Sequence, residues 1–282
     1  MVQIGIISMN DNSAIKKCSY LARLSLDVLR RPRHRRDTVA VTDEYNEGWR
    51  KMGQHLNAAK TLDEWLTIPH FDEGKGFFNI DDKLTFTSFN SSGFYRETLV
   101  DVIRRHFPNA KSITEFGAGV GRNLLYLKRE MPQLDVYGYE LCLPGVEIAE
   151  AAAEKFGISA QYEPLDYLND PAEKYVFPVT DVAFTMFSLE QVSNRSSVAL
   201  RNILPRVRMG SVHLEPVPEN YPLTYRGILA RLNHWKVDYL SGFDRASKQI
   251  AGFTSTVEHM RSAHNSLMFP SVYILRSVVG SH

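Results

Sequence analysis

The stretch Glu115-Phe116-Gly117-Ala118-Gly119-Val120-Gly121 sets three glycines in five positions, directly after an acid and an apolar run. Gly117 can take backbone angles closed to other residues, and Gly119 and Gly121 carry no Cβ, so a ligand can lie against bare main chain. Free amides at the start of a following helix favour an anion or a nucleotide-like group. An acid downstream suits such a ligand. Glu140 stands about twenty residues beyond the glycines, where a carboxylate can accept two hydrogen bonds from a ribose diol. Asp166 follows in "EPLDYL", where an acid can cap a loop.

These residues need strands to carry them. From residue 111 the chain alternates short apolar runs with helical stretches, the rhythm of βαβ units in a mostly parallel sheet. Strands are expected at 112–116, 134–140, 159–166, 181–187 and 211–217, with a closing strand at 269–279 that pairs near 252–263. Helices are expected from 122 to 131 and from Pro144 to a C-cap at Gly157. In 226–240, Ile228, Leu232, Trp235 and Tyr239 recur at helical spacing. The first part differs. Residues 18–31 and 43–66 look helical, 30–37 is a basic connector, and 70–97 is an aromatic-rich irregular segment or short hairpin. The expected division is a cover over 1–94 and an α/β domain over 95–282.

Composition narrows the field. A formal net charge of +1 over 282 residues gives no general pull toward nucleic acid or membrane. Two distant cysteines, Cys18 and Cys142, form neither a disulfide framework nor a metal-ligand cluster, so no metal is expected and a reducing cytoplasm is the simplest setting. The opening "MVQIGIISMND" lacks the basic flank of a signal segment.

A dinucleotide fingerprint would put its third glycine one position later, where this chain has Arg122. The spacing instead resembles motif I of the class I S-adenosylmethionine-dependent methyltransferases, an acid followed by G-x-G-x-G. The resemblance extends over roughly residues 95–279, through the second-strand and third-strand acids. It implies a seven-stranded, mostly parallel sheet with an antiparallel final strand, helices on both faces and an N-terminal, mainly helical cover. It also implies S-adenosyl-L-methionine as cofactor. On the matching positions, the cofactor side comprises Glu115, Gly117, Ala118, Gly119, Gly121, Asn123, Glu140, Leu141, Asp166, Tyr167 and Phe187. Asp166 would meet the adenine amino group, with Tyr167 or Leu141 over the ring.

Acceptor chemistry falls to residues beyond the carboxyl ends of the strands. Glu190 and Gln191 leave the fourth strand, and Glu190 either serves as base or decorates the next helix. His213 and Glu215 share one parity of the fifth strand. Glu215 lies nearer its end, and His213 is either a base or a buried, hydrogen-bonded histidine. Tyr45, Trp49, Phe94 and Tyr95 offer aromatic walls, Trp49 equally a helix core. No Asn/Asp-Pro-Pro-Tyr/Phe signature of base methylation follows the fourth strand. The expectation is O- or N-methylation of a small-molecule acceptor, with a homodimer possible and without nucleic acid or membrane as partner. An NAD(P)-dependent oxidoreductase and a non-catalytic methyltransferase-like binding protein are the alternatives.

Overall fold

A computed structural model of the chain describes residues 11–67 and 74–278. The N-terminal stretch read for a signal segment lies largely outside them, as do residues 70–73 of the aromatic-rich segment and residue 279 of the closing strand. Three helices come first, α1 (Asp11–Arg30), α2 (Thr38–Ala58) and α3 (Leu62–Leu66). The helical stretch 43–66 divides because Thr61 caps α3, accepting the Glu64 amide, as Asp37 caps α2 through Ala40. The aromatic-rich segment is a hairpin, β1 (Lys75–Ile80) with β2 (Lys83–Ser88). Asp81 and Asp82 close it at φ 49° and 62°, the left-handed pair a tight hairpin turn demands. The next helix, α4 (Ser91–His106), contains the position drawn as the domain boundary.

The α/β part then follows the expected order. It comprises β3 (Ser112–Phe116), α5 (Arg122–Glu130), β4 (Asp135–Glu140), α6 (Leu143–Lys155), β5 (Gln161–Pro164) and β6 (Thr180–Met186). After these come α7 (Ser196–Ile203), β7 (Val207–Glu215), α8 (Tyr225–Lys236), α9 (Phe243–Gln249), β8 (Phe253–His259) and β9 (Ser271–Ser277). Seven strands form one sheet in the order β5-β4-β3-β6-β7-β9-β8, parallel except for β9, which runs against both neighbours. Helices cover both faces. Leu99, Ile103, Leu124 and Ala149 pack with Ile113 and Val182 on one side; Leu200 and Phe243 pack with Phe116 and Ala183 on the other. Successive β9 residues Val272, Tyr273, Ile274 and Leu275 alternate between the two cores. Burial on both faces is why the central strands read as continuous apolar runs.

Three of the four stripe residues, Ile228, Leu232 and Trp235, lie on α8, and Tyr239 follows its end. Ile228 is 58 % and Trp235 52 % exposed, Leu232 packs at the edge of the inner cluster, and Leu229, Ala230 and His234 are buried. Gly227 decides which face turns inward: a Cβ there would lie 1.9 Å from the Pro222 carbonyl oxygen, so only glycine lets the backbone approach so closely. The inner face packs on Val28 of α1 and on Leu267 and Phe269.

Candidate active site

The strand order reverses direction between β3 and its neighbours β4 and β6, and a crevice opens beyond their carboxyl ends. The glycine turn forms its floor. The Gly117 and Ala118 amides donate to the Tyr139 carbonyl at 2.7 and 2.9 Å, tying the turn to β4. Gly117, Gly119 and Gly121 stand at φ 80°, 54° and 76°, the left-handed region that side chains avoid. At Gly121 a Cβ would meet the Tyr162 hydroxyl at 2.6 Å and Ala149 Cβ at 2.9 Å. Gly121→Ala is therefore expected to lower stability by about 2 kcal/mol, from backbone strain and the forced contact, read as a lower urea midpoint with unchanged slope.

Glu140 ends β4 beneath the turn. Its Oε2 accepts the Gly119 amide at 2.8 Å and its Oε1 accepts the Cys142 amide at 3.0 Å. Burial raises its carboxyl above the ordinary range, and the two amides oppose that shift. Leu141 and Asp166 line the same cavity. Both Asp166 oxygens are engaged locally, with the Leu168 amide at 2.9 Å and Asn169 Nδ2 at 2.6 Å, which is the loop-cap geometry. Tyr167 is buried in the wall, its hydroxyl 3.0 Å from Ser188 Oγ. Gly117, Ala118, Gly119, Asn123 and Phe187 also line the cavity.

Glu115 and Gly121 lie behind the wall rather than in it. Glu115 is fully buried; Oε1 accepts Asn123 Nδ2 at 2.8 Å and Oε2 has no hydrogen-bond partner. Burial pushes its pKa up to about 8.

The turn after β6 builds another part of the cavity wall. Glu190 is buried, its Oε1 accepts Gln191 Nε2 at 2.8 Å, and the same nitrogen donates to the Tyr45 hydroxyl at 3.1 Å. Glu190 Oε2 and Gln191 Oε1 have no hydrogen-bond partner. Burial, reinforced by Glu215, raises the Glu190 pKa to about 8 against the pull of Arg36 and Gln191. Phe187 holds φ 55° and sets its ring 4.7 Å from that of Tyr95. Strain of this kind persists where the surroundings fix it.

Two expected site residues, His213 and Glu215, sit outside the cavity lining. His213 is fully buried away from the cavity, with Nδ1 3.0 Å from Thr185 Oγ1 and Nε2 2.8 Å from Ser211 Oγ. Burial drives its pKa down to about 3, so it is a neutral core histidine. Glu215 also faces away from the cavity. Its carboxylate accepts the amides of Ser188, Leu189 and Glu190 at 3.1, 3.0 and 3.1 Å, clamping the turn that carries Glu190. Trp49 lines the cavity and lies against the glycine turn. A Cβ on Gly119 would lie 3.1 Å from its Cη2 and one on Gly145 3.1 Å from its Cδ1, so the indole rests in the cradle that the missing side chains leave.

Two further wall residues were not among those expected in the site. His264 lies in the loop between β8 and β9, its Nδ1 3.0 Å from the Tyr95 hydroxyl. Arg122, in the place of a third glycine, donates Nε to the Trp65 carbonyl at 2.7 Å and stacks 4.1 Å from that indole. It fastens the cover to the glycine turn. Arg33, Arg35 and Arg36 of the basic connector line the cavity too, alongside Asp37, Glu44 and Asp238. The whole space measures about 1060 Å³, large for one ligand and sufficient for two small ones.

No family model and no curated protein matches the chain. Solved structures do. The magnesium protoporphyrin IX methyltransferase of Synechocystis PCC 6803, solved with bound SAH, is 12% identical with a TM-score of 0.56, covering 86% of this chain and 100% of that one. The [4+2]-cyclase SpnF is 15% identical with a TM-score of 0.58, covering 89% and 100%. A geranyl diphosphate methyltransferase solved with GPP and sinefungin is 15% identical with a TM-score of 0.50, covering 67% and 79%. The fold is that of the class I methyltransferases. Within that fold, the glycine turn after β3 and Glu140 after β4 occupy the crevice where the strand order reverses. A structure named as a cyclase shares the fold, so the reaction has to be argued from the side chains.

Proposed function

We propose that the chain is an S-adenosylmethionine-dependent methyltransferase that methylates an oxygen or nitrogen of a small-molecule acceptor. The supporting observation is Glu140 at the end of β4, hydrogen-bonded to Gly119 under a cavity of about 1060 Å³. The residues fit the cofactor. Gly119 leaves a cradle that a side chain presently fills, and Glu140 presents a carboxylate at its edge. Asp166 and Tyr167 border the same space. An oxidoreductase reading is disfavoured because Arg122 stands where a dinucleotide fingerprint has its third glycine.

When bound, S-adenosylmethionine supplies an electrophilic methyl group on a sulfonium. The protein's part is orientation, dryness and one proton. Tyr45 and Gln191 position the acceptor through their hydroxyl and amide. Glu190 Oε2, buried and without a partner, takes the proton that the acceptor oxygen or nitrogen loses. Glu215 acts through the backbone, holding the Ser188–Glu190 amides so that this carboxyl stays in place. Trp49 must leave the Gly119 cradle for the cofactor to enter.

Incubating the chain with methyl-labelled cofactor and a small-metabolite extract is expected to yield a labelled small product. Label that stays entirely on the cofactor, with the cofactor bound, contradicts the reading.

A further inference from the structure

Two sequence features have no role in the proposed reaction: the apolar stripe of α8 and the basic run 30–37, although Arg33, Arg35 and Arg36 of that run line the cavity. In the structure they meet. The Arg33 guanidinium lies over the Trp235 ring, 4.5 Å from its centroid. Arg31 Nη1 donates to Asn233 Oδ1 at 3.0 Å, and Lys236 Nζ donates to the Leu29 and Arg31 carbonyls at 2.6 and 2.8 Å. The end of α1, the connector and α8 therefore form one surface. Its apolar members, Leu26, Leu29, Ile228 and Trp235, are all exposed. A cluster of exposed apolar side chains rimmed by charge suits a contact surface.

Charge selects the partner. Residues 11–36 hold eight lysines and arginines against two acids, Asp11 and Asp27, in a chain whose whole formal charge is +1. The remainder of the chain is thus net acidic, and the arginines at the end of this segment sit beside the apolar stripe. Arg30, Arg31, Arg33 and Arg35 are exposed there.

We propose that this face docks the protein on an anionic lipid surface. Leucine, isoleucine and tryptophan side chains ringed by arginine have the composition of a surface that lies at the headgroup level. The arginines meet headgroup phosphates, and the indole takes the boundary between water and acyl chains. A second copy of the chain suits the face poorly. A two-fold contact sets the same patch against itself, which would bring the two arginine runs together. Bare nucleic acid suits it poorly as well, since it leaves Leu26 and Ile228 in water. Arg33 and Arg35 also line the cavity, so docking brings its mouth to the headgroups. No helix among the described residues is long and apolar enough to cross a membrane, so the contact is peripheral. The proposal does not depend on methyl transfer.

The test is flotation of the full chain with vesicles of phosphatidylcholine, and of phosphatidylcholine mixed equally with phosphatidylglycerol. The chain is expected to float with the mixed vesicles and not with the neutral ones, and to be released as salt is raised. Ile228→Glu with Trp235→Glu is expected to cut the vesicle-bound fraction at least tenfold, as is Arg30→Glu with Arg31→Glu. Circular dichroism and the melting midpoint establish that each variant is folded; if one pair fails to fold, the other carries the test. The proposal is overturned if the wild type stays with the unbound protein, or if folded variants float as it does. It is equally overturned if sedimentation gives a dimer that Trp235→Glu makes monomeric, or if duplex RNA at equal phosphate strips the protein from the vesicles.

Discussion

Glu140→Ala is expected to weaken S-adenosylhomocysteine binding by roughly two orders of magnitude, about 3 kcal/mol for two lost hydrogen bonds to a charged group. The side chain also organises its own surroundings, since it accepts the Gly119 and Cys142 amides. Its loss leaves those donors unpaired, so some fall in melting temperature accompanies the affinity change. Glu140→Gln separates the effects, because the amide oxygen can still accept one of the two bonds. Calorimetric titration alongside thermal unfolding distinguishes the site from the scaffold. Burial raises the Glu140 carboxyl, so affinity should fall on acidification as the acceptor form is lost.

The second large effect is expected at Glu190. With its pKa at about 8, the basic form fills as pH rises through that value, and the methyl-transfer rate should climb with it to a plateau. Glu190→Gln should lower kcat by about 100-fold or more and remove this limb, while leaving S-adenosylhomocysteine affinity within a small factor. Stability carries the opposite sign. The folded-state pKa of about 8 lies above the ordinary 4.5, so the folded chain holds the proton more tightly than the unfolded one. Stability is therefore lost as pH rises between those values, and Glu190→Gln should flatten that loss. A variant that kept the rising limb would exclude Glu190 as the base.

Much of this architecture is legible in the residues. The run Ser112–Phe116, the glycines after it and the acid closing Asp135–Glu140 set the first βαβ unit, because their pattern is local. β9 was readable as the antiparallel strand only through the family resemblance. Parity placed His213 and Glu215 together on β7, but could not tell that both turn from the cavity. That depends on Thr185, Ser211 and the turn after β6, which bring partners from other strands. The spacing of Ile228, Leu232, Trp235 and Tyr239 was helical, yet period alone does not say which side of a helix meets the core. The close approach of Gly227 to Pro222 settles it. His264 had no motif, since its link to Tyr95 spans 169 positions. Trp49 illustrates the same gap. A tryptophan on an amphipathic helix reads as core or acceptor wall, and only packing reveals that it rests on Gly119.

The glycine cradle and Trp49 give the decisive measurement, a crystal structure of the chain soaked with S-adenosylhomocysteine. The ligand is expected with its ribose on Glu140, its adenine between Leu141 and Asp166, and the Trp49 indole displaced from Gly119. Density for the indole still seated on Gly119 at saturating ligand, with no nucleoside in the crevice, would contradict the proposed cofactor and every role assigned around it.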